Sequence, residues 1–133
     1  MAPAFPTWIV LWRDCTIIER TLDYRKVCRL APWKPVISSE NAIYLLDDEV
    51  NLWAFERYLD GWMIHAQMSL ECRGRKAVES AKRAFKWIVD NTELRNIYAG
   101  IPVDKKPACY VASWAGMEYS HTKDNKRFYK KQM

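Results

Sequence analysis

The stretch Ser69-Leu70-Glu71-Cys72-Arg73-Gly74-Arg75-Lys76-Ala77-Val78-Glu79-Ser80-Ala81 joins two hydrophobic periodicities through a basic turn holding one glycine. Upstream, Trp62, Ile64, Ala66, Met68 and Leu70 alternate with Met63, His65, Gln67 and Ser69, which is the period of a strand. Downstream, Ala77, Ala81, Ala84, Phe85 and Ile88 recur at helical spacing, with Arg75, Glu79, Lys82, Arg83 and Lys86 on the other faces. A strand entering a helix in this way points several unpaired backbone N–H groups at one spot. The helix start adds about half a positive charge there. The natural guest is an anion, typically a phosphate. Basic strand-to-helix turns that bind nothing are also common, so the turn does not establish a ligand by itself.

Other residues could move protons. Glu56 and His65 each sit inside an apolar strand, where a lone polar group needs a reason. Both are bases by type, and a satisfied core histidine accounts for His65 as well as a base does. Glu71 reads as a solvated strand end. Tyr119 and Tyr110 are possible acids by residue type only. Lys123, Lys126, Arg127, Lys130 and Lys131 read as a solvated basic tail, with nucleic-acid contact as the sharper alternative.

The elements that must position these groups come from a chain of 133 residues, a length that suggests one domain. Half the residues are hydrophobic and seven are Trp, more often core than ligand platform, so a core can be built. The net charge of +5 fits an anionic ligand and fits an ordinary protein equally well. No apolar run has the length of a membrane span, and Met1–Pro6 lacks the basic start and apolar stretch of a signal peptide. With Cys15, Cys28, Cys72 and Cys109 unpaired by any C-x-x-C spacing and only two histidines, no zinc site is expected. Four reduced thiols are the expectation, with two bridges left open by the even number.

Taken in order, Trp8-Ile9-Val10-Leu11-Trp12 has strand length. Residues 14–30 read as mainly helical after a possible cap at Asp14, although Cys15-Thr16-Ile17-Ile18 is also β-prone. The prolines of Ala31-Pro32-Trp33-Lys34-Pro35 stop any helix. A meander follows: a strand at 42–46, an acidic turn Asp47-Asp48-Glu49, a strand at 50–58, the hairpin signal Asp60-Gly61, and the strand at 62–70. After the helix, closed by Asp90-Asn91-Thr92, come a strand at 95–101 and a helix at 105–115. Asp104 would cap that helix and Gly116 would end it. A closing hairpin around Asp124-Asn125 completes the chain.

This order resembles the GNAT (Gcn5-related N-acetyltransferase) fold, and more narrowly the small GNAT-like proteins of tailed bacteriophages. The resemblance covers residues 40–121 well and the first 40 in layout. Arg73-Gly74-Arg75-Lys76-Ala77-Val78-Glu79-Ser80-Ala81 is similar to the family's acetyl-CoA pyrophosphate loop and following helix. Ile101-Pro102-Val103-Asp104-Lys105-Lys106-Pro107-Ala108, followed by Gly116-Met117, is similar to its "Asn-x-x-Ala … Gly-Phe" segment. The family's loop has small residues where Lys76 and Val78 stand, with Gly74 and Ala77 as the small residues nearby. Lys105 replaces the common Asn, and Ala112 holds the position often given to a general-acid Tyr.

The resemblance implies α+β architecture: a GNAT-like mixed, mostly antiparallel sheet flanked by helices, one domain over residues 1–133. It implies that the strands at 62–70 and 95–101 splay, and that acetyl-CoA is the cofactor. Met68, Ser69 and Leu70 would meet it by backbone, and Arg73, Gly74, Arg75, Lys76 and Ala77 at its phosphates. Glu56, His65 and Tyr119 are the candidate catalytic residues, since acetyl transfer needs a base for the amine and a proton for the leaving thiolate. The activity implied is N-acyl transfer to an unknown amine or protein acceptor in the host cytoplasm. The alternative is a non-catalytic phage protein, either a virion or assembly component or an inhibitor of a host protein. No membrane partner is expected, and nucleic acid is supported only by charge.

Overall fold

A computed structural model describes residues 18–133, and the strand expected at 8–12 and the cap expected at Asp14 lie outside that range. The elements are β1 (Ile18–Thr21), α1 (Tyr24–Leu30), β2 (Ala42–Asp47), β3 (Asn51–Tyr58), β4 (Gly61–Gln67), α2 (Arg75–Asn91), β5 (Asn96–Pro102), α3 (Lys106–Trp114), β6 (Glu118–Lys123) and β7 (Lys126–Gln132). They form one seven-stranded sheet in the order β1-β2-β3-β4-β5-β7-β6. Every neighbouring pair is antiparallel except β4 with β5. The expected α+β class, a mostly antiparallel sheet flanked by helices, is what forms.

Alternation along the strands gives the sheet two cores. On one face Ile43, Leu45, Trp53, Phe55, Trp62, Ile64, Ile97 and Tyr129 meet Val78, Ala81, Ala84, Phe85 and Ile88 of α2 and Cys109 and Ala112 of α3. On the other, Ala42, Tyr44, Leu46, Leu52 and Ala54 pack with Val27 of α1 and with Trp33. Full burial of a side chain such as Phe85 or Ile88 stabilises the fold by about 1.5–3 kcal/mol, which is why the alanine-rich stripe of α2 faces inward.

Several local expectations change. Helix does not run over 14–30: Ile18–Thr21 pairs with β2, and α1 starts after Asp23, whose carboxylate accepts the Lys26 N–H. Sheet pairing overrides a partial helical stripe where Ile18 and Thr21 are β-branched. The tight loop between β3 and β4 is Leu59-Asp60, with Tyr58 paired to Gly61. Gly61 answers a different need: a Cβ there would stand 1.9 Å from the Asn96 carbonyl oxygen. Lys105, not Asp104, takes the cap position of α3, without a side-chain cap bond. Gly116, at φ +96°, ends that helix as expected, the Gly116 and Met117 N–H groups returning to Ser113 and Ala112. The basic residues 126–131 are not a free tail. They form β7, which lies between β5 and β6 and buries Tyr129.

Candidate functional site

β4 and β5 touch only at their beginnings. Trp62 pairs with Ile97 and Met63 with Tyr98, and no further rung follows. Gly61 lets the two chains start this close. Beyond that rung they part, so the β5-facing backbone of β4 from Ala66 onward has no partner on β5. Between them opens a cleft of about 850 Å³, walled by Ile64–Met68 on one side and Ala99–Pro102 on the other. Its floor is small or flat: Trp53, Ala77, Ala81 and Phe85.

One end of the cleft is the basic turn. β4 stops at Gln67, shorter than its alternation suggested, and the chain passes through 68–74 into α2. Gly74 is the N-cap, at φ +56° and ψ −125°, a conformation that a side chain makes costly. It offers no side-chain cap. The Lys76 and Val78 N–H groups turn back to Arg73 and Gly74, whereas those of Gly74, Arg75 and Ala77 have no acceptor among the described residues. Free amides at the start of a seventeen-residue helix make an anion cradle. No Cβ on Gly74 would meet an atom within 4 Å, so the cradle is open.

The expected contact residues divide. Met68, Arg73, Gly74 and Ala77 line the cleft. Ser69 and Leu70 do not: the Ser69 N–H donates to Asn51 Oδ1 at 2.8 Å, and Leu70 is 82% exposed on the turn. Arg75 and Lys76 are exposed on the first turn of α2, close enough in sequence to add charge but not part of the wall. The small-residue question resolves physically. Gly74 and Ala77 face the cleft, Lys76 points to solvent, and Val78 enters the core. Spacing in the basic turn could not show this, because a one-residue shift in helix start rotates every side chain by about 100°.

At the other end, His65 lines the cleft with Pro32 and Trp33. The His65 ring packs on Trp33 with centroids 5.1 Å apart. Its Nε2 lies 3.4 Å from Glu56 Oε1 on the neighbouring strand. The other carboxylate oxygen of Glu56 is approached by the Val36 N–H and the Tyr44 hydroxyl, both at 3.4 Å. Two of the three expected catalytic residues are thus one unit. With Nε2–H directed to the carboxylate, Nδ1 keeps the lone pair. Tyr119 is elsewhere: it is exposed on β6, hydrogen-bonds Thr122 at 2.8 Å, carries Arg127 over its ring at 4.5 Å, and does not line the cleft. Tyr110, at 58% exposure, does line it and stacks on Trp114. Ala112, where the resemblance places an acid, is buried and lines the cleft.

Cys72, read in the sequence only as one of four thiols, is buried beside the basic turn and lines the cleft. Burial pushes its thiol up, and the Asp47 charge adds to this. Cys28, Cys72 and Cys109 are free thiols, and no group of three or more metal-ligating side chains occurs among the described residues. No helix there is long and apolar enough to cross a membrane.

No protein-family model matches the chain, and no curated protein does. Solved structures do. The N-acetyltransferase PseH of Campylobacter jejuni superposes with a TM-score of 0.66 at 7% identity, over 89% of this chain and 98% of that one. Its complex with acetyl coenzyme A matches at 0.60 and 8%, over 72% and 70%. The ribosomal-protein-S5-alanine acetyltransferase of Vibrio fischeri matches at 0.65 and 12%, over 90% and 97%. A GNAT-family acetyltransferase from Bacillus anthracis matches at 0.57 and 15%, over 69% and 66%. At these identities the likeness is one of fold, and the fold is that of the GNAT acetyltransferases.

Proposed function

We propose that this chain is an acyl-CoA-dependent N-acyltransferase whose coenzyme lies in the cleft between β4 and β5. The observation that carries this is the splayed parallel pair ending in the amide cradle of Gly74, Arg75 and Ala77. The site fits such a ligand at both ends. A chain bearing amides can pair with the edge of β4 beyond Ile64 as an added strand, and a diphosphate fits the helix start, with Arg73 beside it. Bound there, acetyl-CoA would supply an activated acetyl thioester.

The chain's own residues do the rest. Ala77 and Ala81 in the floor, and Ala99 and Gly100 in the wall, leave room for a ligand between the strands. His65 Nδ1 takes the proton of the incoming ammonium, and Glu56 holds the ring and steadies the positive charge it gains. Trp33 and Pro32 cover this end of the cleft and limit water. The acceptor is an amine, free or on a protein.

The setting we propose is the cytoplasm of a phage host, resting on the resemblance of the element order to the small GNAT-like proteins of tailed bacteriophages. A non-catalytic phage protein on the same scaffold is the second reading. It is favoured by Ala112 in the acid's position and by Tyr119 lying outside the cleft. A thermal shift separates the two: at a hundred times its dissociation constant, acetyl-CoA should stabilise by about 2.7 kcal/mol. No shift at millimolar acetyl-CoA would favour the non-catalytic reading.

A further inference from the structure

The acidic turn between β2 and β3 hides two buried polar residues that the chemistry above does not use. Asp47 and Asn51 face each other across the hairpin as a cross-strand pair. They are 1% and 5% exposed. Buried polar groups are costly unless they are paired, so each must be holding something.

Asn51 holds the entrance to the phosphate turn. Its Oδ1 accepts the Ser69 N–H at 2.8 Å, just where β4 has ended. Asp47 holds the exit. Its Oδ2 accepts from the Ser80 hydroxyl and, at 2.7 Å, from Arg83 Nη2, both on α2. Ser80, itself fully buried, also accepts the Trp53 indole N–H at 2.8 Å. Trp53 in turn forms part of the cleft floor. One rung of the β2–β3 hairpin therefore grips the chain on both sides of Arg73–Ala77, and orients the floor between.

We infer that the Asp47–Asn51 pair is the positioning device of the phosphate cradle, acting through Ser69 on one side and Ser80 and Arg83 on the other. Gly74 gives the turn backbone freedom and no cap. Without the two anchors, the free amides would sample many orientations and lose their convergence. A pre-organised cradle binds more tightly because less ordering is left for the ligand to impose. The inference rests on the coenzyme reading for its functional consequence, but the ordering itself is a property of the protein alone.

Two readouts test it on the full chain. Asn51→Ala and Asp47→Asn should each speed amide hydrogen exchange at Cys72, Lys76 and Val78, the hydrogen-bonded amides within residues 70–78, tenfold or more relative to 84–91. Both should weaken acetyl-CoA binding tenfold or more by calorimetry. Val27→Ala, in the core under α1, serves as a control of comparable melting loss and should change neither. Should Asp47→Asn not fold, Ser80→Ala removes the hydroxyl bridge with little change in volume and takes its place. Exchange at 70–78 no faster than in the control would overturn the inference, as would a faster-exchanging variant that bound acetyl-CoA unchanged. If the wild type bound no acetyl-CoA, the coenzyme reading would fail, and the exchange result alone would decide the ordering.

Discussion

Gly74 and His65 carry the two halves of the proposed chemistry. A side chain on Gly74 meets no neighbour, so Gly74→Ala tests backbone conformation rather than packing. At φ +56° the alanine is strained by about 1–3 kcal/mol, and relief comes from moving the cradle. The expected result is weakened acetyl-CoA binding with a folded protein, checked by calorimetry and circular dichroism. His65→Ala should leave acetyl-CoA affinity unchanged and lower kcat by about 10²–10⁴-fold once an acceptor amine is in hand. The Arg73–Ala77 cradle and the His65–Glu56 candidates were legible in the sequence, because a basic glycine turn and polar groups in apolar strands are local signals. Which of those residues face the cleft was not. That depends on the first residue of α2, and Tyr119 was taken on residue type, which says nothing of place.

Gly61 decides how β4 and β5 begin. A Cβ there would overlap the Asn96 carbonyl, so Gly61→Ala must push apart the only two rungs that join these strands. The expected cost is about 1–3 kcal/mol or more, read as a fall in the urea midpoint, together with weakened acetyl-CoA binding. Periodicity exposed the meander, α2 and α3, since alternation and helical spacing are carried by neighbours in sequence. It misplaced Gly61 as a turn residue, because the close approach comes from a chain segment 35 residues away in sequence. It placed Asp47 in an acidic turn without showing its burial for the same reason: the partners that bury it, Ser80 and Arg83, lie on α2. The lysine-rich 126–131 segment looked like a tail because a strand at the wet end of a sheet exposes its charged side chains while its backbone stays paired.

For the molecule as a whole, three buried acids shape the response to alkaline pH, Tyr129 among them through burial and its hydrogen bond with Cys109. Burial raises the Tyr44 hydroxyl, with the Glu56 charge next, and burial raises the Cys72 thiol, with the Asp47 charge next. A group that ionises less readily in the fold contributes stability that is complete below its unfolded pKa and is lost as pH rises through the folded value. Stability should therefore hold through neutral pH and decline above about 8.5, where a free thiol ionises. Urea midpoints at neutral and alkaline pH check this, and Cys72→Ala should lessen the decline. The parted strands and the amides at their end form the proposed coenzyme slot. It is tested most directly by following backbone amide resonances while coenzyme A is added. The predicted result is saturable shifts largest at Gly74, Arg75 and Ala77, continuing along Ile64–Gln67. Shifts absent at millimolar coenzyme, or confined to the β6–β7 hairpin, would contradict it.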